Sequence, residues 1–235
     1  MSWRRPRACA TLARIRRPAT GRLNSGVRSA MTTLLILLVL AAIGYWLYRR
    51  TRPAGAPAID ISHLPEQFVV FDLETTGLDA SKHQIIEIGA IRVNRNSDSH
   101  DTYQSLVTSK RKLPKKIVEL TGITDEMLKS NGVSLEEALK EFSDFVGDLR
   151  LISFNTDFDL AFLHNAAAQH GFEFRNPTSC ALKMARRAWP GRASFRLIDL
   201  ARDGKLSMSN QHRALGDCER ALHVYIAAAS KLRSV

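Results

Sequence analysis

Asp72 and Glu74 stand two residues apart at the end of an apolar run, in the segment Phe71-Asp72-Leu73-Glu74-Thr75-Thr76-Gly77-Leu78. In a strand, alternation puts both carboxylates on one face and Leu73 on the other. Acids gathered on a largely apolar strand repel each other, and burying them unpaired is costly. A cation offsets that repulsion, and an all-oxygen ligand set selects a hard one, Mg²⁺ or Mn²⁺. Two solvated acids at a strand end fit this segment alone equally well.

Two further segments carry acids at positions where chemistry is plausible. Phe154-Asn155-Thr156-Asp157-Phe158-Asp159 follows an apolar run and starts a helical pattern. Acids at a helix start complement the helix dipole, which accounts for one of Asp157 and Asp159 without needing both. In His212-Arg213-Ala214-Leu215-Gly216-Asp217 the acid falls in or near the first turn of the last helix. Histidine titrates near pH ~6.5 and is suited to taking a proton from water, although a His just before a helix is more often a surface or capping residue.

These residues need a scaffold, and its elements follow from apolar patterning. Residues 68–73, 84–93 and 101–108 read as three strands in an antiparallel meander. Ser134 with Glu137 forms a capping box that opens an amphipathic helix to Val146, with Leu135, Leu139, Phe142 and Val146 on one face. Residues 149–154 read as a fourth strand, and 157–169 as a helix. Helical stretches follow near 180–188 and 195–201, with a long final helix over 214–232. Strands first, then a strand mixed with helices, indicate an α/β or α+β domain. Glu87, among isoleucines in the second strand, reads as a buried acid with a local partner. Lys110-Arg111-Lys112-Leu113-Pro114-Lys115-Lys116 reads either as a contact for nucleic-acid phosphates or as a solvated loop entering a helix.

Composition narrows the class. With 45% hydrophobic and 24% charged residues the chain is not wholly disordered, and three cysteines exclude a disulfide framework. Cys180 and Cys218 read as small core residues. The net charge of +11 invites a nucleic-acid or membrane reading, but its location matters more. Eleven of the 34 Lys and Arg residues, and no acid, lie in 1–59, which leaves 23 bases against 23 acids beyond. Residues 1–30 form a basic leader expected to be disordered or not translated, with Met31 as the working start. Residues 31–48 are eighteen uncharged residues ending in Tyr45, Trp46 and Tyr48, and are expected to form a transmembrane helix. Arg49, Arg50 and Arg52 follow, and 49–65 reads as a linker. This implies a single-pass inner-membrane protein whose long domain faces the cytoplasm. A mitochondrial transit segment and a cleaved signal peptide are the alternatives.

Taken together, the three acidic segments resemble the DEDDh family of 3′–5′ exonucleases, the RNase H-like group that includes the proofreading epsilon subunit of bacterial replicases. The family's Asp-x-Glu is met by Asp72 and Glu74. Its second motif is met by Asn155, Phe158 and Asp159, and its third by His212 with Asp217. Leu120-Thr121-Gly122-Ile123-Thr124 is similar to a segment common in these proteins. Thr75-Thr76-Gly77-Leu78 looks more like the DNA-proofreading members. The chain departs from the pattern at Phe154, where many epsilon-like members have His, and around Cys180, where an Asp-Thr pair is common. The resemblance implies an RNase H-like three-layer domain over 66–235 with a central mixed five-stranded sheet. It also implies that Asp72, Glu74, Asp159 and Asp217 hold two Mg²⁺ or Mn²⁺ ions, with Asp72 bridging. His212 would take the proton of the attacking water, and nucleoside 5′-monophosphates would leave. Backbone N–H groups at Thr75, Thr76 and Gly77 would meet the terminal nucleotide, with Leu78 against its base and Asn155 orienting substrate or Asp159. The implied partner is nucleic acid with a free 3′ end, single-stranded DNA before RNA, with a polymerase or repair complex as a further partner. A membrane-tethered binding module without catalysis is the reading from another class.

Overall fold

A computed structural model of the chain describes residues 61–97, 99–209 and 211–233. The expected membrane segment 31–48 and the basic leader lie outside the described residues. Among the described residues no helix is long and apolar enough to cross a membrane.

The meander is present as β1 (Gln67–Thr75), β2 (Ile85–Asn94) and β3 (Asp101–Leu106). After β3 come two short helices, α1 (Lys115–Thr121) and α2 (Asp125–Asn131), then α3 (Leu135–Val146). Ser134 caps α3 as its sequence indicates, its hydroxyl oxygen accepting from the Glu137 N–H at 3.1 Å. The chain then forms β4 (Arg150–Ser153), α4 (Thr156–His170) and β5 (Thr178–Cys180). It ends in α5 (Ala181–Ala188), α6 (Leu197–Asp203) and α7 (Ala214–Arg233). The strands lie in the order β3-β2-β1-β4-β5. The first three pair antiparallel, whereas β4 runs parallel to β1 and β5 parallel to β4. This is the mixed five-stranded sheet expected.

Alternation along β1 sorts the core into two layers. Val69, Phe71 and Leu73 face α3 and α4, packing with Leu139, Phe142, Phe162 and Leu163. Phe68 and Val70 face α5, α6 and α7, with Ala181, Leu200, Cys218 and Tyr225. This second layer reaches back to Leu64 and Ile61, at the edge of the expected linker, where Arg95 donates to the Leu64 carbonyl at 2.7 Å. A smaller cluster of Ile86, Leu113, Ile123 and Leu128 seats α1 and α2 at the end of the meander. In an open α/β sheet, ligands bind beyond the carboxyl ends of the strands. Here the carboxyl end of β1 and the β4–α4 junction meet, and the acids gather there.

Candidate active site

Asp72 and Glu74 are the last outward pair on β1, and the burial pattern of the strand puts them on one face as alternation requires. The register places Asp72 opposite Gly89 and Glu74 opposite Glu87 on β2, so the face holds three acids. The register shifts between Glu74 and Thr75, a bulge just past the second acid after which Thr75 pairs with Ile85. The turn that follows is tightly built. The Thr75 hydroxyl donates to the Gly77 carbonyl at 2.7 Å, and the Thr76 N–H donates to the Gln84 carbonyl at 2.9 Å. The Gln84 N–H returns a bond to the Thr76 hydroxyl at 3.1 Å. The Thr76 N–H is therefore engaged within the turn, and the His83 ring sits where a Cβ on Gly77 would be. Leu78, at the tip, is 86% exposed.

The second acid group enters from β4–α4. Asp159 lies in the first turn of α4 and is 3% exposed. The Ser153 hydroxyl and the backbone at Leu73 favour its ionised form at the end of β1. Asp157 points the other way: it is exposed and pairs with Lys183 at 2.7 Å. Two acids at one helix start thus have separate roles, one inward and one in a surface pair. Asn155 is exposed at the N-cap of α4 with no side-chain cap bond, and its carbonyl accepts from the N–H groups of Phe158 and Asp159.

The third group sits at the start of α7. His212 has φ 54°, in the left-handed region, where His is among the few side chains found with any frequency. Its N–H donates to Asp217 Oδ2 at 3.1 Å, so histidine and acid are linked before any ligand arrives. One ligand atom each from Glu74, His212 and Asp217 lie within 4.8 Å of one another. Arg220, one turn on and 3% exposed, donates from Nε to Asp217 Oδ1 at 2.9 Å and from Nη1 to the Ser209 carbonyl at 3.0 Å. A single guanidinium therefore holds the acid and the loop that presents the histidine.

What fixes α7 to the sheet is Glu87. Fully buried, it accepts a forked contact from Arg213, at 2.6 Å from Nη2 and 3.1 Å from Nε, and the Ala214 N–H at 2.9 Å. Gln104 on β3 completes its shell at 2.9 Å. The local partner expected for Glu87 is thus a residue 126 positions away in sequence, and the acid anchors the helix start. Beside it, Gly89 permits the contact of helix and sheet, since a Cβ there would lie 2.6 Å from the Ala214 carbonyl carbon and the Leu215 nitrogen. The Cys218 thiol closes the junction with a 3.3 Å bond to the Gly89 carbonyl. Neither Gly89 nor Arg220 stands out from motif spacing, although a glycine inside a strand does signal close backbone approach. Gly89→Ala is expected to destabilise the fold by about 1–3 kcal/mol, the usual cost of overpacking, and to impair turnover by displacing Asp217. A denaturant midpoint equal to wild type would mean that this contact is not tight.

The electrostatics show what the cluster lacks. Burial raises the Asp72 carboxyl well above the usual range, with further contributions from Asp159, Asp217, Glu74 and Glu87. Burial and then the carboxylates of Asp217, Glu87 and Asp159 push Glu74 up to about 8. Asp159 is raised by burial to about 7, against its hydrogen bonds. Oxygen donors that resist ionisation for want of positive charge fit a hard divalent cation. Carboxyls raised in the folded state hold protons that the unfolded chain has lost, so stability falls as pH rises from about 5 to about 8. A bound cation favours the ionised carboxylates, so its stabilisation grows across the same window. The melting temperature in EDTA is expected to fall over this interval while the increment from Mn²⁺ rises. An increment independent of pH would count against cation binding at these acids.

Comparison with known proteins shows the family of the chain. The exonuclease family RNase_T matches residues 69–225, a span that includes all four acids and His212. The DNA polymerase III subunit epsilon of Aquifex aeolicus is 35% identical over 166 residues, covering 70% of this chain and 81% of that one. The PolC-type DNA polymerase III of Halalkalibacterium halodurans is 37% identical over 175 residues, which is 72% of this chain but 12% of that protein. The chain thus matches only a small part of the PolC-type relatives. Exonuclease X, solved in complex with 5′-overhanging duplex DNA, superimposes with a TM-score of 0.55 at 25% identity, over 69% of this chain and 92% of that one. Escherichia coli exonuclease I in its zinc-bound complex with single-stranded DNA gives a TM-score of 0.59 at 19% identity, over 72% of this chain and 40% of that one. This last likeness is one of fold.

Proposed function

Since this chain belongs to the exonuclease family RNase_T, we propose that it is a 3′–5′ exonuclease acting on single-stranded or frayed DNA and releasing nucleoside 5′-monophosphates. The observation that carries the reading is the convergence of Glu74, His212 and Asp217 beside the mutually repelling Asp72 and Asp159. Asp72, Glu74, Asp159 and Asp217 would hold two divalent ions, Mg²⁺ or Mn²⁺. When bound, the ions supply Lewis-acid activation of water and stabilise charge on the phosphate and the leaving oxygen.

The chain's own residues supply the rest. The His212 imidazole, beside Glu74 and Asp217, takes the proton of the attacking water. The bonds that Arg220 makes to Asp217 and the Ser209 carbonyl keep histidine and acid in register. The exposed Leu78 packs against the terminal base, and the Thr75–Gly77 turn sets the position of the terminal sugar. Asn155, exposed at the N-cap of α4 with no side-chain cap bond, would meet the strand.

DNA is favoured over RNA because the relatives include DNA polymerase III subunits and exonuclease X bound to DNA. The test is the full chain with matched DNA and RNA oligonucleotides, with Mg²⁺, with Mn²⁺ and with EDTA. Shortening from the 3′ end, dependent on metal and faster on DNA, is expected. Faster RNA trimming would assign the same chemistry to the other nucleic acid. Strand binding without cleavage in Mn²⁺ would favour a non-catalytic binding module. The uncharged run 31–48 and the arginines after it support inner-membrane anchoring with the domain on the cytoplasmic side. Carbonate-resistant membrane fractionation checks that. The polymerase III relatives make a polymerase partner part of the same reading.

A further inference from the structure

We propose that the loop over residues 108–114 and the β1–β2 turn form an electropositive track that holds the phosphodiester backbone of the strand behind its 3′ end. This rests on the exonuclease reading and names a second contact surface for its substrate. A groove of about 460 Å³ runs between the two segments, with Thr76 of the catalytic turn in its wall and Lys82, Lys110, Arg111 and Lys112 along its length. Among the described residues no carboxylate lines it. Lys82 is paired with Asp79 at 2.7 Å. Lys110, Arg111 and Lys112 are exposed and enter no ion pair among the described residues. Glu126 lies within the influence of Lys112, although its carboxyl is held low first by its own backbone bond and by Thr124. The domain as a whole balances acids and bases, so three cations without ion-pair partners in one groove are a local excess rather than a share of general basicity.

The loop is also braced. The Gln84 side-chain amide donates to Ser109 Oγ, tying the loop to the residue that closes the catalytic turn. Ser109 Oγ donates in turn to the Arg111 carbonyl at 2.5 Å and accepts from the Arg111 N–H at 3.2 Å. Leu113 is buried, and its N–H donates to Asp125 Oδ1 at 2.9 Å. The cations therefore stand on a braced backbone along a groove whose wall includes Thr76, the residue between Thr75 and Gly77. A strand with its terminal nucleotide at the four acids must leave the site along some surface. This groove opens at the same turn and carries the complementary charge. An acidic protein surface would meet the same cations, but it would have no reason to begin at the catalytic turn.

The test uses the full chain carrying Lys110→Gln, Arg111→Gln and Lys112→Gln together. A control chain carries Arg186→Gln, Arg187→Gln and Lys231→Gln, which removes equal charge at exposed positions that do not line the groove. Cleavage of a dinucleotide, too short to reach the track, is expected to be unchanged in the groove variant, which also reports an intact fold. On a 20-nucleotide single strand, KM is expected to rise about tenfold or more. The slope of log affinity against log salt is expected to fall by about 2, as for three phosphate contacts on a single strand. The control should lack the change in KM. Equal losses on dinucleotide and long strand, or no loss on either, would overturn the proposal, the latter pointing to another partner for these cations. If wild type cleaves neither substrate, the exonuclease reading fails by itself. Fluorescence anisotropy of the labelled strand in EDTA then decides the groove, with equal affinity in wild type and variant overturning it.

Discussion

Asp72→Asn is expected to lower exonuclease turnover by more than about 10³-fold, beyond the loss usual for one preorganised electrostatic contact, while raising the melting temperature of the metal-free protein. Both effects have one cause. Asp72 is pressed by burial and by four neighbouring carboxylates, and Asp159 is the largest of those neighbours. Without a cation that arrangement is unfavourable, and a neutral amide of the same shape relieves it. The gain expected is about 0.5–2 kcal/mol, the range common for single stabilising substitutions. The same amide removes one of the four proposed metal ligands, so the increment from Mn²⁺ should shrink together with activity. Thermal melts with and without Mn²⁺, run beside a nuclease assay, read all three quantities. A variant that loses activity but is less stable than wild type in EDTA would mean that Asp72 supports the fold and is not under strain from its neighbours.

His212→Asn is expected to reduce kcat by about 10²–10⁴-fold, the range for loss of a general base. Asparagine is the informative replacement because it also tolerates the left-handed backbone, at φ 54°, that this position requires. Alanine would add backbone strain to the chemical loss and confuse the two. The bond from the residue's N–H to Asp217 is a backbone contact and should survive. His212 also stands close enough to Glu74 and Asp217 to be read as a ligand itself. The two roles separate in one measurement: a base leaves the stabilisation by Mn²⁺ intact when removed, and a ligand does not. A loss below about tenfold would remove His212 from the proton transfer altogether.

The long elements and the acids were legible in the sequence because each carries a local signature. A short apolar run with β-branched residues marked β1, alternation marked β3, and Ser134 with Glu137 marked the start of α3. What stayed hidden is short or non-local. The strand β5 has three residues and α1 has seven, too few for either period to emerge. Moreover α1 follows Pro114 with no side-chain cap and no acid in its first turn. The helix α2 did have a signal, Thr124 accepting from the Met127 N–H with Asp125 and Glu126 next in line. Which of Asp157 and Asp159 turns inward depends on how α4 meets the end of β1, and no helix-start rule contains that. Glu87 was recognisable as a buried acid among isoleucines. Its partner Arg213 was not, because strand and helix meet only in the folded chain. The role proposed for Gly77 needs an addition for the same reason: a Cβ there would meet the His83 ring before it met a nucleotide.

The Cys218 thiol lies under the first turns of α7, fully buried, and burial followed by the surrounding carboxylates raises its pKa well above the ordinary thiol value. A sulfur in that position is closed to alkylating reagents while the helix is seated. It becomes a timer once the helix lifts. The rate at which Cys218 is labelled then follows the equilibrium between docked and undocked α7, which is also the equilibrium for assembling Asp217 and His212 with the strand acids. One native atom thus offers a covalent record of how often the catalytic half-site comes apart.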